Sequence, residues 1–336
     1  MTRSFARLPA VAALAFLMTA ATPPPAPAAK HDEHAVRLSW FGERPAFSPD
    51  GKRIAFIGKT FGDAYELDIA TGQVRNLTAH LPHAGILRVQ YLPNGDFLIT
   101  APRHFDGAKA RWEGELWILD KNAERGLVPL DQPVFEGVAI SRRSNLIGFA
   151  VQEGEISASN LKDLKPQFYT AEIAYGADGP KLVNKRHIPV TGCVGEAQDF
   201  RDNDREMTIP CYGLSPTGGA HASAWGVELA TGKTTIYRDV PDEYDEIEGI
   251  APDGSWSAVE CAPAGSGGLP PLDICRLELK PNGRISRLLI ATAPGSTRKV
   301  NNPVISPDGK WMAVASSDSR YEAGTGDGIL LLRIAN

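Results

Sequence analysis

After its N-terminal stretch the chain has no run of 18 apolar residues, no dense run of lysine and arginine, no Cys-x-x-Cys pair and almost no helical periodicity. Each absence excludes something. Without a long apolar run no membrane-spanning helix is expected. With a formal net charge of -5, a pI near 5.9 and no basic cluster, the chain has no electrostatic footprint for DNA or RNA, so no nucleic acid partner is expected. The missing helical period points away from bundles and from doubly wound α/β folds. Yet 336 residues with 43% hydrophobic content can bury a full core, as one large or two ordinary domains.

The N-terminal stretch reads MTRSFARLPAVAALAFLMTAATPPPAPAAK. Arg3 and Arg7 precede an apolar segment from Leu8 to about Ala21, followed by small residues and prolines. Charged, apolar, then small is the order of a secretory signal, and the apolar part is short for a membrane span. Residues 1–29 are therefore expected to be a signal peptide cut between Ala20 and Ala29. Residues 30–336 would form a single exported domain, periplasmic or secreted, soluble after cleavage and monomeric.

Four cysteines remain: Cys193, Cys211, Cys261 and Cys275. In an exported chain an even count suggests disulfides, and four cysteines allow three pairings. A zinc site is the competitor, but only His187 lies near a cysteine in sequence.

One pattern recurs along the rest of the chain. With FSPDG (47–51) as template there follow YLPNG (91–95), ISRRS (140–144), FRDND (200–204), IAPDG (250–254) and ISPDG (305–309), at spacings of 44, 49, 60, 50 and 55 residues. Each is followed by a short apolar segment: RIAFIG, DFLITA, NLIGFA, EMTIPC, SWSAVE and KWMAVA. A third segment such as AYELDIATG or GELWILDKN comes next, and then often an exposed fourth such as QVRNLTAH. Four strands per unit in six units predict an all-β fold, a six-bladed β-propeller of four-stranded blades. In Ser-Pro-Asp-Gly, proline fixes φ, aspartate bonds its own backbone and glycine supplies positive φ, so the motif is the hairpin between the first two strands of a blade. The last unit ends one strand short. The segment HAVRLSWFG (34–42) is expected to supply that strand and close the ring, because closure removes two exposed edges. On this scheme Cys193 with Cys211 and Cys261 with Cys275 are the preferred pairs, each clamping adjacent strands of one blade.

RPAFSPDGKRIAF, YELDIATGQVRNLT and NPVISPDGKWMAVAS resemble the repeat of the TolB-like (WD40-like) β-propeller family, from about residue 36 to the end. The resemblance is specific for the fold and nearly silent on chemistry, since such repeats occur in periplasmic scaffolds, in the propellers of prolyl-peptidase-like enzymes and in oligogalacturonate lyases. No G-x-S-x-G nucleophile elbow occurs and no peptidase domain is expected, which argues against a serine peptidase. Nor is the separate N-terminal domain of TolB expected here.

In a propeller the innermost strands surround a central channel. Six residues upstream of the turn reference lie Glu43, Leu87, Glu136, Glu196, Glu246 and Asn301. The next position holds Arg44, Arg88, Gly137, Ala197, Ile247 and Asn302, with Glu248 and Asp199 close by. This predicts a polar ring at a channel mouth with a basic and an acidic side. Glu43, Arg44, Arg88, Asn301 and Asn302 are candidate ligand-binding residues, since arginine takes a carboxylate in a two-pronged bond. Glu136, Glu196, Glu246 and Glu248 are candidate catalytic carboxylates. A second polar cluster, Arg103, His104, Asp106, Arg111, Trp112, Glu113 and Glu115, occupies one long loop, and Tyr321, Glu322 and Asp327 another. His80, His83 and His104, with His221, resemble the histidine-rich manganese site of the oligogalacturonate lyases, but their spacing matches no helical metal motif, and no metal or cofactor is expected. The expected function is a binding or scaffold module for a glycan, peptide or envelope protein. The alternative is a carbohydrate-active enzyme, a polysaccharide lyase or glycoside hydrolase, using the channel-mouth Glu and Arg residues.

Overall fold

A computed structural model of the chain describes residues 35–152, 160–263, 271–292, 297–321 and 324–334. The expected signal peptide and Glu322 lie outside these residues. Strand β1 (Ala35–Arg37) is followed by a first sheet of β2 (Glu43–Phe47), β3 (Arg53–Ile57), β4 (Ala64–Asp68) and β5 (Val74–Asn76). A second holds β6 (Arg88–Tyr91), β7 (Phe97–Pro102), β8 (Gly114–Leu119) and β9 (Val128–Pro133), and a third β10 (Phe135–Ile140), β11 (Leu146–Val151), β12 (Gln167–Gly176) and β13 (Gly179–Ile188). Next come β14 (Asp199–Arg201), β15 (Glu206–Leu214), β16 (Ala220–Glu228), β17 (Thr234–Arg238), β18 (Glu243–Ile250), β19 (Trp256–Pro263), β20 (Asp273–Glu278) and β21 (Ile285–Leu289). The last sheet holds β22 (Arg298–Ile305), β23 (Trp311–Asp318), β24 (Gly328–Arg333) and, on its outer edge, β1. The described helices are two short 3-10 turns, and none is long and apolar enough to cross a membrane.

The fold is an all-β propeller, but the expected six separate blades are corrected. The described residues form four discrete four-stranded blades, whereas β14 to β21 are one continuous eight-stranded sheet. A parallel bridge from Ala222 to Tyr244 joins its halves. The cause is unequal strand length: β16 has nine residues, and β17 covers only Ala224–Val227 of it. The start of β16 is left with free backbone groups, which β18 reaches, because an open edge takes up any strand that comes within range.

Each turn repeat does lie between a first and a second strand. In the first copy Asp50 accepts from the Ser48 hydroxyl (2.6 Å) and from Lys52 N (3.1 Å), and Gly51 sits at φ 70°. Asp308 repeats both bonds at 2.6 and 3.0 Å, with Gly309 at φ 72°. The second strands are buried along nearly their whole length because both faces pack on neighbouring sheets. Thus Ile54, Phe56 and Leu67 of the first sheet meet Ala313, Ile329 and Leu331 of the last, and Leu98 and Leu116 of the second meet Phe149 and Ile173 of the third. Of the segment 34–42, only Ala35–Arg37 pairs as a strand, antiparallel to β24. Disulfides join Cys193 to Cys211 and Cys261 to Cys275.

The inner strands carry a recurrent irregularity. Register slips between Glu43 and Ala46, Phe135 and Val138, Ile247 and Ile250, and Asn301 and Val304. At these bulges Arg44, Glu136 and Asn302 take φ of 55°, 40° and 51°, which non-glycine residues rarely adopt. Position by position, Glu136 and Glu248 therefore correspond to Arg44 and Asn302, not to Glu43 and Asn301. The spacing read from the turns slips by one residue in the third repeat and by one, in the opposite sense, in the fifth.

Candidate functional site: two chambers between the inner strands

The starts of the inner strands enclose two cavities that share Arg44, Arg88, Glu248 and Asn302 on their walls. One, of about 400 Å³, lies on the side of the turn motifs and touches Pro49, Pro93 and Pro307. The other, of about 260 Å³, lies at the opposite end. Around it stand all nine side chains singled out at the strand starts: Glu43, Arg44, Arg88, Glu136, Glu196, Glu246, Glu248, Asn301 and Asn302. Leu87, at the same sequence position in the second repeat, is buried in the core instead.

Seven more polar or aromatic residues complete this acidic chamber, among them Lys299 of β22, whose charge acts on Glu260. Arg111 and Trp112 arrive from the long loop between β7 and β8, so the second polar cluster is partly the same site. Trp112 stacks on Phe135, with ring centroids 5.8 Å apart. The rest of that loop stays outside: Arg103 pairs with Glu115 (2.7 Å) and Asp131 (2.5 Å), while His104, Asp106 and Glu113 are exposed. Tyr212, Tyr244 and Glu260 come from β15, β18 and β19. Glu260 had a readable signal, since a glutamate closing the apolar run SWSAVE must be either a strand end or a buried charge.

Two arginines of this chamber, Arg44 and Arg111, are neutralised by one carboxylate. Arg111 donates to Glu136 through Nε (2.6 Å) and Nη2 (3.0 Å), and Arg44 Nη2 lies 3.3 Å from Glu136 Oε2. Burial would push Glu136 up, but Arg111 and Arg44 beside it outweigh that and hold it down to about 2. Burial also lowers Arg44, and the surrounding Glu136, Glu43, Glu196 and Glu248 more than reverse this.

The opposite wall has carboxylates in excess. The Tyr212 hydroxyl lies 2.6 Å from both Glu196 Oε1 and Glu246 Oε1, Tyr244 donates to Glu246, and Asn302 N donates to Glu260 Oε1 (2.6 Å). Glu248 is 6% exposed and has no hydrogen bond or ion pair among the described residues, although it faces both chambers. Burial, and then the charge of Glu136, pushes Glu196 up to about 7. Burial and Glu246 push Glu260 up to about 8, and burial with Glu246 and Glu260 raises Glu248 well above the ordinary carboxylate range. Ligand oxygens of Glu246, Glu248 and Glu260 lie within 4.8 Å of one another, close enough to hold a cation. Two glycines permit this crowding: a Cβ on Gly137 would stand 2.4 Å from Glu196 Oε2, and one on Gly249 would stand 2.8 Å from Pro303 O.

The histidines are not brought together. His80 Nε2 is bonded to Ala123 O (2.8 Å), His83 Nε2 to Asp63 Oδ1 (2.9 Å) and His221 Nδ1 to Glu243 O (2.7 Å). Among the described residues none of them belongs to a cluster of three possible metal ligands.

Solved structures share this architecture. TolB from Acinetobacter baumannii is similar at a TM-score of 0.54 and 11% identity, over 86% of this chain and 65% of that one. The fold is that of TolB and related β-propellers. The chain thus spans less than two thirds of that TolB. Regucalcin from Agrobacterium tumefaciens, titled a calcium-binding protein, aligns over 88% of this chain and 92% of its own at 14% identity and a TM-score of 0.55. A chain of a mitotic checkpoint complex aligns over 97% and 99% at 11% identity and a TM-score of 0.53. At such identities the likeness carries the fold and no activity. No family model matches the chain, and no curated protein does.

Proposed function

We propose that the protein is an exported binding propeller that receives the amine-bearing end of a peptide partner in its acidic chamber. One observation carries the reading: Glu248, buried and without a partner, stands with Glu246 and Glu260 in a cluster that no arginine neutralises directly. Burying like-charged carboxylates is costly, and an ammonium group relieves the cost by pairing with them. For this chamber we favour an amine over a carboxylated ligand, because Arg44 and Arg111 are already held by Glu136. Exposed Phe105 and Tyr321, on the two loops that also bring Arg111 and Gly324 to the chamber, offer apolar surface to flanking peptide side chains. The two disulfides fit an oxidising compartment, periplasmic or extracellular.

Titration calorimetry with a short lysine-containing peptide, its fully acetylated form, uronate oligosaccharides and calcium tests this. The expected result is binding of the free amine, loss on acetylation, and at least tenfold weakening by Glu248→Gln. Equal binding of the acetylated peptide, or binding of the uronates alone, would overturn the reading.

One observation favours the enzymatic alternative: Glu136 is held down to about 2 and Glu196 up to about 7 in the same chamber, an ionised and a protonated carboxyl side by side. Release of new reducing ends or unsaturated uronate from an oligosaccharide panel, abolished by Glu196→Gln, would establish it. No product from any sugar would remove it.

A further inference from the structure

The turn-side chamber is separate chemistry. Two of the three arginines on its wall are occupied, Arg44 with Glu136 and Arg142 with Asp199 at 2.8 Å. Arg88 is not. It is 9% exposed and makes no ion pair among the described residues, and its Nη1 touches Gln198 Oε1 only at 3.5 Å. Arg88 Nε and Gln198 Nε2 are both buried donors without an acceptor. Gln198, 8% exposed, lines this chamber and not the acidic one. Native interiors rarely leave such donors orphaned, and an arginine beside an amide is a ready receptor for a two-oxygen acceptor. Much of the surrounding wall is apolar, from Phe47, Tyr91, Ile140, Val304 and Ile305 with the turn prolines at the rim, and its Asp199 carboxylate is paired with Arg142. An apolar cavity with a few convergent polar groups is the usual form of a small-molecule site.

We propose that the turn-side chamber binds a small monocarboxylate with an aliphatic or aromatic body, its carboxylate held by Arg88 and Gln198 and its body against Phe47, Ile140 and Ile305. Glu248 reaches the same space, and burial, then its neighbours Glu246 and Glu260, shift it toward its neutral form, which lessens its repulsion of an incoming carboxylate. The site does not depend on the peptide reading, since the amine would occupy the other chamber.

The test is calorimetry on the whole chain with benzoate and hexanoate, and with benzamide and hexanamide as matched neutral bodies. The acids should bind, and the amides should bind at least tenfold more weakly. Arg88→Met should lower acid affinity at least tenfold with the circular dichroism spectrum unchanged, and Arg88→Lys should restore part of it. Should Arg88→Met fail to fold, Gln198→Leu is the second variant and should weaken the acids severalfold while leaving the amides unaffected. Absence of acid binding, equal binding of acids and amides, or full acid affinity in Gln198→Leu or in a folded Arg88→Met would each overturn the proposal. Binding of the lysine peptide with no acid binding would overturn this site alone.

Discussion

The Tyr212 hydroxyl stands 2.6 Å from Oε1 of Glu246, and it stands equally close to Oε1 of Glu196. A phenol has one proton to donate, and an ionised carboxylate only accepts. One of the two contacts must therefore be made by a protonated carboxyl group donating to the phenolic oxygen. This agrees with the burial that raises both glutamates.

That shared proton has a pH signature. Glu196 and Glu260 are raised to about 7 and about 8, from 4.5 in the unfolded chain. Below pH 4.5 both states hold these protons. Between there and about pH 8 the folded state keeps protons that the unfolded chain has lost, so stability falls as pH rises through this window. Glu136, held down to about 2, acts in the opposite sense and removes stability as pH falls below 4.5. Melting temperature should peak near pH 5 and decline toward pH 8. Glu196→Gln should flatten the decline, whereas a profile rising to pH 8 would contradict the buried acidic wall.

Glu136→Gln should be the most damaging of the polar changes in the chamber. It leaves Arg111 and Arg44 buried without their counter-charge, a loss of about 3 to 5 kcal/mol. Urea unfolding monitored by tryptophan fluorescence measures this, and a loss below 1 kcal/mol would mean that solvent reaches the arginines.

Gly137→Ala tests the closeness of the third inner strand to the fourth repeat. The new methyl would fall 2.4 Å from Glu196 Oε2 and 2.5 Å from Ala197 O, so backbone must shift. Overpacking of this kind costs about 1 to 3 kcal/mol. The displaced Glu196 should also titrate nearer its ordinary value, measurable by carboxyl NMR; unchanged titration would show that the contact relaxes elsewhere.

Reduction of the disulfides should destabilise the eight-stranded sheet. They span 18 and 14 residues, and each is worth about 2 to 4 kcal/mol. Cys193→Ser with Cys211→Ser should expose β14 and β15 to hydrogen exchange before the first sheet. Uniform exchange across the chain would place the clamp's effect elsewhere.

Much of this was legible in the chain. Ser48, Asp50 and Gly51 bond their own backbone within five residues, so the turn chemistry that marks each unit needs no tertiary partner. The same turns placed Cys261 and Cys275 on neighbouring strands, Cys193 ahead of β14 beside Cys211 of β15, and charged residues at the strand starts. Glu136, by contrast, shows no sign in sequence that Arg111, 25 residues earlier in a loop, will neutralise it. The bulges at four of the inner strands were equally hidden, since one inserted residue changes which side chain faces the cavity without altering composition.

The sequence by itself determined an all-β propeller with two paired disulfides, because local turn propensity and strand alternation act over a few residues. Only the tertiary structure decided that two repeats would fuse into one sheet, that Arg44 and Arg111 would be spent on Glu136, and that Glu248 and Arg88 would be left without an ion pair among the described residues. These depend on strand length, register and distance between segments tens of residues apart, where a shift of one residue turns a side chain from the core to the channel.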